Sequence, residues 1–286
     1  MSRAAVCGVF NQKGGCAKTT TSHNLGVLLA RAGHRTLLVD FEPQKNLSQS
    51  FVLEKAPEVR VYDALVDRSG QDFSRARIPT PISGLDLIPG DERLTLLDRE
   101  QALRMFAFRS KLAPVLNDYE YVLVDLPPGV SMATMMCLAA ADHVLVPTQP
   151  EPYCLEGTGA VIETLAASRE ANPQLSLLGF VVTLFDDRLR SHKDGVQQLR
   201  DGYGERVFEA TVRMDARARE APSHKESVVT YAPTSRAAVD YAEVAREFVT
   251  RTRSARPVPS AQNKNRKSGA TGAEPSKKKT PAARAR

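Results

Sequence analysis

Residues 11–20 read Asn-Gln-Lys-Gly-Gly-Cys-Ala-Lys-Thr-Thr, with two lysines around two glycines and a pair of hydroxyls at the end. A glycine turn aims its backbone N–H groups inward, and a helix starting at the turn adds unpaired N–H groups and its dipole. Together they make an anion site. In this context the N–H groups of Gly14, Gly15, Cys16, Ala17, Lys18, Thr19 and Thr20 surround a β-phosphate. Lys18 reaches the β- and γ-phosphates, and the Thr19 hydroxyl holds Mg²⁺. The chemistry is phosphoryl transfer, for which one lysine beside the hydroxyl suffices. Lys13 is a second cation that the loop itself does not need.

The flanking stretches supply the elements such a loop requires. Residues 4–10 (AAVCGVF) read as a buried strand, and residues 19–33 (TTTSHNLGVLLARAG) as the following helix, closed by Gly33. Further apolar runs predict strands at RTLLVDF, LDLIPG, YEYVLVDLPP, DHVLVPTQP, LLGFVVTLF and VFEATV. Amphipathic stretches over residues 93–117, 155–171, 188–202 and 236–251 predict helices between and after them. Val/Leu/Ile-rich strands alternating with helices indicate an α/β fold, a doubly wound, mostly parallel sheet with helices on both faces.

Charge is divided unevenly. Of 39 basic and 33 acidic residues, 11 and one lie from Arg251 onward, leaving 28 and 32 in residues 1–250. The body is mildly acidic at −4, and the C-terminal end carries +10. Residues 252–286 are rich in Pro, Ser, Gly and Lys, cannot bury enough apolar surface to fold alone, and are expected to be a disordered basic tail after a domain of residues 1–251. No apolar run approaches the ~18 residues of a membrane span, and the glycine loop leaves no room for a cleaved leader. A cytoplasmic protein is expected. The four cysteines are scattered, without a Cys-x-x-Cys pair, and read as plain thiols.

The loop departs from the common phosphate loop by opening with Lys-Gly-Gly and by placing Ala17 where a glycine usually sits. In this it resembles the deviant Walker A loop of the ParA/Soj/MinD ATPases. The resemblance implies that Lys13 reaches across a dimer interface to the phosphates of the partner's ATP. LLVDFEPQKNLS resembles the family's Asp-x-Asp-Pro-Gln-x-Asn segment. Asp40 matches the first carboxylate, and Glu42 stands where the family has the aspartate that positions the attacking water. The extra methylene of Glu42 moves the carboxylate by about one bond, and ~1 Å of misplacement can cost ~100-fold. Slower or rearranged hydrolysis is expected, with a larger share for Asp40. YVLVDLPPG resembles the second Walker motif, in which Asp125 supports the Mg²⁺ shell. VPTQPEPYCLEG matches the family's Val-Pro-x-Gln-x-Glu…Leu-Glu-Gly block without adding chemistry. VRMDARAREAPS matches a block whose Pro and Asn help hold adenine, here Arg213 and Asp215.

The likeness spans residues 4–250. It implies a partition ATPase of the ParA/Soj type, for a chromosome or a plasmid, with ATP and Mg²⁺ as cofactors and weak turnover unless stimulated. An ATP-induced sandwich homodimer would bind double-stranded DNA without sequence preference, and a ParB-like centromere-binding protein would stimulate hydrolysis and release it. The protein would then be nucleoid-associated. Arg188, Arg190, Lys193, Arg213, Arg217, Arg219 and Lys225 are the DNA-contact candidates. A MinD-like membrane-cycling ATPase is the alternative. It needs a C-terminal amphipathic helix, and there is no Leu, Ile, Phe or Trp after Phe248, so no membrane partner is expected. An iron–sulfur relative on the same loop needs paired cysteines, and the spacing from Asp125 to Cys137 does not fit.

Overall fold

A strand buried on both faces sends alternate side chains into two separate cores. In the computed structural model, which describes residues 3–53, 55–67, 72–99, 105–151 and 154–255, the central sheet is built this way. The first half runs β1 (Ala5–Val9), α1 (Lys18–Arg31), β2 (Thr36–Asp40), α2 (Asn46–Gln49), α3 (Val61–Val66), α4 (Phe73–Ala76), β3 (Ile78–Pro79) and β4 (Leu85–Ile88). Next come α5 (Ala107–Leu112), β5 (Tyr121–Asp125), α6 (Met132–Leu138), β6 (His143–Thr148) and α7 (Cys154–Ser168). The chain continues through β7 (Ser176–Phe185), α8 (Arg190–Tyr203), β8 (Val207–Arg213), α9 (Ala216–Glu220), α10 (Val228–Tyr231) and α11 (Arg236–Ala255).

The eight strands are ordered β3-β4-β2-β5-β1-β6-β7-β8, and every pairing is parallel except β3 with β4. Val6, Leu37, Val39, Val122, Val124, Val144 and Val146 face one core, closed by Val61 of α3, Phe108 of α5, Met136 of α6 and Val161 of α7. Their neighbours Cys7, Leu38, Leu123 and Leu145 face the other, closed by Leu25 and Leu29 of α1 and by Val244 and Phe248 of α11. Truncating one of these fully buried leucines to alanine would cost about 2–5 kcal/mol. The doubly wound α/β fold is therefore observed.

Two details depart from expectation. Residues 93–117 do not form one helix: a 3-10 helix at Glu92–Arg99, α5, and a second 3-10 helix at Ala113–Asp118 share the region. Pro114, lacking an N–H and clashing with the preceding turn, is a physical reason for the break near 113. The last helix also passes the expected boundary at 251. Thr252 is buried, its hydroxyl donates to the Phe248 carbonyl at 2.9 Å, and Arg251 donates to the Glu205 and Val207 carbonyls while stacking over Phe208. The compact unit extends to Ala255. Of the tail expected over residues 252–286, residues 252–255 belong to α11, and residues 256–286 lie outside the described residues.

β1 is flanked by β5 and β6, so the chain winds away from it in both directions and leaves a crevice at its C-terminal end, where ligands of open α/β sheets bind. Register puts Val9 beside Asp125 and Asp125 beside Asp40. The phosphate loop and both carboxylates therefore share one sheet edge.

Candidate functional site

The loop after β1 turns through Gly15 at φ +77° and enters α1 through Ala17 at φ 63°, ψ 31°. A left-handed conformation costs a residue with a Cβ roughly 1–2 kcal/mol. This explains both why glycine is usual at position 17 and why the smallest side chain replaces it here. Cys16 is buried beneath the loop, its thiol pushed up by burial, and its carbonyl accepts from the Thr183 hydroxyl at 3.0 Å. Cys7 and Cys137 are buried in the cores, and no metal-holding cluster of His, Cys, Asp and Glu occurs among the described residues.

Lys18 is 7% exposed, and its ammonium donates to the Lys13 carbonyl at 3.1 Å. Thr19 donates its hydroxyl to Asp125 at 2.7 Å, and Ser22, three residues along the same helix face, donates to the other Asp125 oxygen at 2.9 Å. Asp125 is fully buried, and its carboxyl is pushed up to about 7, chiefly by burial and then by the charge of Asp40. Thr19 and Asp125 are hard oxygen donors side by side, the set that suits Mg²⁺. A buried carboxylate beside a second one is also a place where a cation lowers the energy. The residues fit the ion.

Asp40, expected to take a share in hydrolysis, sits behind the loop that carries Glu42. It is fully buried and is pushed up to about 6 by burial, against the pull of its hydrogen bonds. Its oxygens accept from the Glu42 N–H at 3.2 Å, the Ser48 N–H at 2.8 Å and the Ser48 hydroxyl at 2.6 Å. Gly90 seats it from behind; a Cβ there would lie 2.7 Å from the Asp40 carboxyl carbon. Asp40 holds the 42–48 loop in place, whereas Glu42 lines the cleft.

That cleft encloses about 580 Å³ between the phosphate loop, Glu42 and Pro128 on one side and Thr183, Leu184, Arg213 and Pro222 on the other. The size suits one nucleotide. Leu184, not foreseen from the sequence, reaches the cleft with φ +52°, a strained conformation of the kind that gathers at functional sites. Arg213 lines the cleft, but its guanidinium is bidentate to Asp240 at 2.9 and 2.7 Å. Asp215 also lines it, with its oxygens accepting from the N–H groups of Arg217 and Ala237. Arg213 ties the end of β8 to α11, and Asp215 ties the start of α9 to α11.

The expected DNA contacts fall in two groups. Arg188, Arg190 and Lys193 stand exposed around the start of α8, with Arg188 on Asp186 and Arg190 3.8 Å from Asp194. Arg217 pairs with Glu220, Lys225 is exposed at the end of the 3-10 turn after α9, and Arg219 lines the cleft. Arg213 lines the cleft and pairs with Asp240. The two segments leave neighbouring strand ends, since Phe185 of β7 pairs with Arg213 of β8.

Residues 4–177 match a family described as AAA domain. The chromosome-partitioning ATPase Soj of Thermus thermophilus is 39% identical over 246 residues, covering 86% of this chain and 95% of that protein. The sporulation initiation inhibitor protein Soj of Bacillus subtilis is 34% identical over 248 residues, covering 85% of this chain and 97% of that protein. Among solved structures, a Mycobacterium smegmatis protein described as cobyrinic acid a,c-diamide synthase, with bound ADP and magnesium, superposes with a TM-score of 0.75 at 30% identity. That match covers 90% of this chain and 98% of the other.

Proposed function

Because the chain belongs to the ParA/Soj family of partitioning ATPases within the AAA-domain group, we propose that it is a DNA-partition ATPase working through an ATP-dependent homodimer. ATP with Mg²⁺ is its cofactor. The observation that carries this reading is the division of labour between two lysines of one loop. Lys18 is buried against the loop beside Thr19 and Asp125, whereas Lys13 stands half-exposed at its rim.

Lys18 and the loop N–H groups hold the phosphates, and Thr19 with Asp125 holds the metal ion. Bound Mg²⁺ neutralises charge developing on the transferred phosphoryl group. Glu42, kept in position by Asp40 and Ser48, orients the attacking water. Lys13 extends to the phosphates of the second protomer, so a tight dimer forms only when ATP is bound. Two copies of the basic groups at α8 and around α9 then act on one duplex, and their avidity exceeds that of either alone. A ParB-like partner that stimulates hydrolysis dissolves the dimer and frees the DNA. Association with the nucleoid follows from that cycle.

Co-sedimentation with double-stranded DNA, with ATP and with ADP, tests the reading, with anionic vesicles as the parallel sample. Retention on DNA with ATP alone supports it. ATP-dependent retention on vesicles instead of DNA would support the membrane-cycling alternative.

A further inference from the structure

The end of β6 and the segment after it hold the phosphate loop through residues 147, 149 and 151. The Pro147 carbonyl accepts from the Asn11 amide at 2.8 Å, Gln149 donates to the Gly15 carbonyl at 3.0 Å, and Glu151 forms an ion pair with Lys13 of the same chain. Through these contacts residues 147, 149 and 151 form a strap along the rim of the loop. The strap is backed by α8, where a Cβ on Gly195 would lie 2.7 Å from the Pro150 carbonyl oxygen. Glu151 is therefore held where it is, and the acid faces the one loop cation that the nucleotide's own protomer does not need.

We propose that Glu151 is a positioning residue that keeps Lys13 on its own protomer, and that this pair must open before Lys13 can reach the partner's ATP. The inference rests on the reading of Lys13 as a lysine acting across the dimer. In the monomer Lys13 is neutralised in cis. In the dimer the triphosphate, with more negative charge than one carboxylate, takes it over. The exchange makes dimerisation respond to the γ-phosphate rather than to any contact of the two surfaces.

The size of the effect follows from exposure. Both partners are about half exposed, with 55% and 46% of their side-chain surface accessible. Exposed pairs of about 0.2–1 kcal/mol shift an equilibrium by a factor of roughly 1.4 to 5 each, and less in high salt. Two pairs open per dimer, so removing the restraint tightens dimerisation by about 2- to 25-fold, short of making it independent of ATP.

The test is the protein concentration at half-dimerisation, read by light scattering on the full chain with Mg²⁺ and a slowly hydrolysed ATP analogue. Wild type is compared with Glu151→Gln, Glu151→Asp and Lys13→Ala, and monomer nucleotide binding is measured alongside to show that each variant is folded. Glu151→Gln is expected to dimerise at about 2- to 25-fold lower concentration, with the gap to wild type closing at 0.5 M salt. Glu151→Asp is expected to follow wild type, and Lys13→Ala to remain monomeric. If Glu151→Gln dimerises at the wild-type concentration or higher while Lys13→Ala stays monomeric, the restraint is refuted and the trans lysine stands. If Lys13→Ala dimerises normally, the trans lysine fails and the restraint fails with it.

Discussion

Asp40 and Asp125 are register partners at the C-terminal ends of the adjacent parallel strands β2 and β5, and both are fully buried. Two carboxylates in such a place cannot both ionise cheaply. One holds the loop that carries Glu42, the other accepts from Thr19, and a cation held by Thr19 and Asp125 would relieve them.

This pair gives the nucleotide-free protein a pH dependence. Their folded values, about 6 for Asp40 and about 7 for Asp125, lie above the ordinary 3.8, so between pH 4 and 7 the folded state keeps protons that the unfolded chain has lost. Stability from these groups falls as pH rises through that window. Mg²⁺ with ATP displaces those protons, and its stabilising effect grows toward pH 8. Thermal unfolding with EDTA and with Mg²⁺–ATP should show a larger rise in Tm at pH 8 than at pH 6. In Asp125→Asn that difference should shrink to the share left by Asp40. A rise of equal size at both pH values would count against the pairing.

His23 gives the opposite trend. Burial lowers it from 6.5 to about 4, and its ring packs on Phe51 at 4.4 Å. The unfolded chain takes up a proton below pH 6.5 that the folded state refuses until pH 4, so stability is lost as pH falls through that range. By pH 4 the loss is on the order of 3 kcal/mol. Denaturation of His23→Gln should show a shallower decline from pH 6.5 to 4 than wild type; a parallel decline would remove His23 as the cause.

Much of the architecture was legible because it rests on local signals. Seven strands were visible as apolar runs, and the loop as a glycine turn between strand and helix. The antiparallel β3 was not, since two residues including a proline carry no pattern. Ser22 followed Thr19 at helical spacing and could have been found. Ser48, Gly90 and Glu151 could not, because their roles depend on contacts across the fold. Glu151 lies 138 positions from Lys13, in a block that had supplied only a family likeness. Arg213 and Asp215 line the cleft, Arg213 paired with Asp240 and Asp215 capping α9.

Glu42 carries the prediction on turnover. Glu42→Ala should slow hydrolysis by roughly 100-fold or more and trap the ATP dimer, the usual scale for losing a group that activates water. Glu42→Asp should hydrolyse at least as fast as wild type. Phosphate release assays decide, and unchanged turnover in Glu42→Ala would move the role elsewhere.

The tail separates two sources of DNA affinity. From Arg256 onward it has nine Lys/Arg and one Glu. If about five of the cations sit on phosphates at once, log K falls with log salt at a slope of roughly −4 to −5. Truncation after Ala255, which spares the buried Thr252, should remove that part of the slope in every nucleotide state. Identical slopes with and without the tail would show that it does not contact DNA.

ATP, acting through Lys13, is expected to create a DNA-binding dimer from the folded body alone. The most direct measurement is DNA binding by protein truncated after Ala255, wild type and Lys13→Ala, with ATP and with ADP at fixed salt. The prediction is binding by the wild type with ATP only, with Lys13→Ala still binding ATP but not DNA. Equal DNA binding with ATP and ADP, or full binding by Lys13→Ala, would contradict the account.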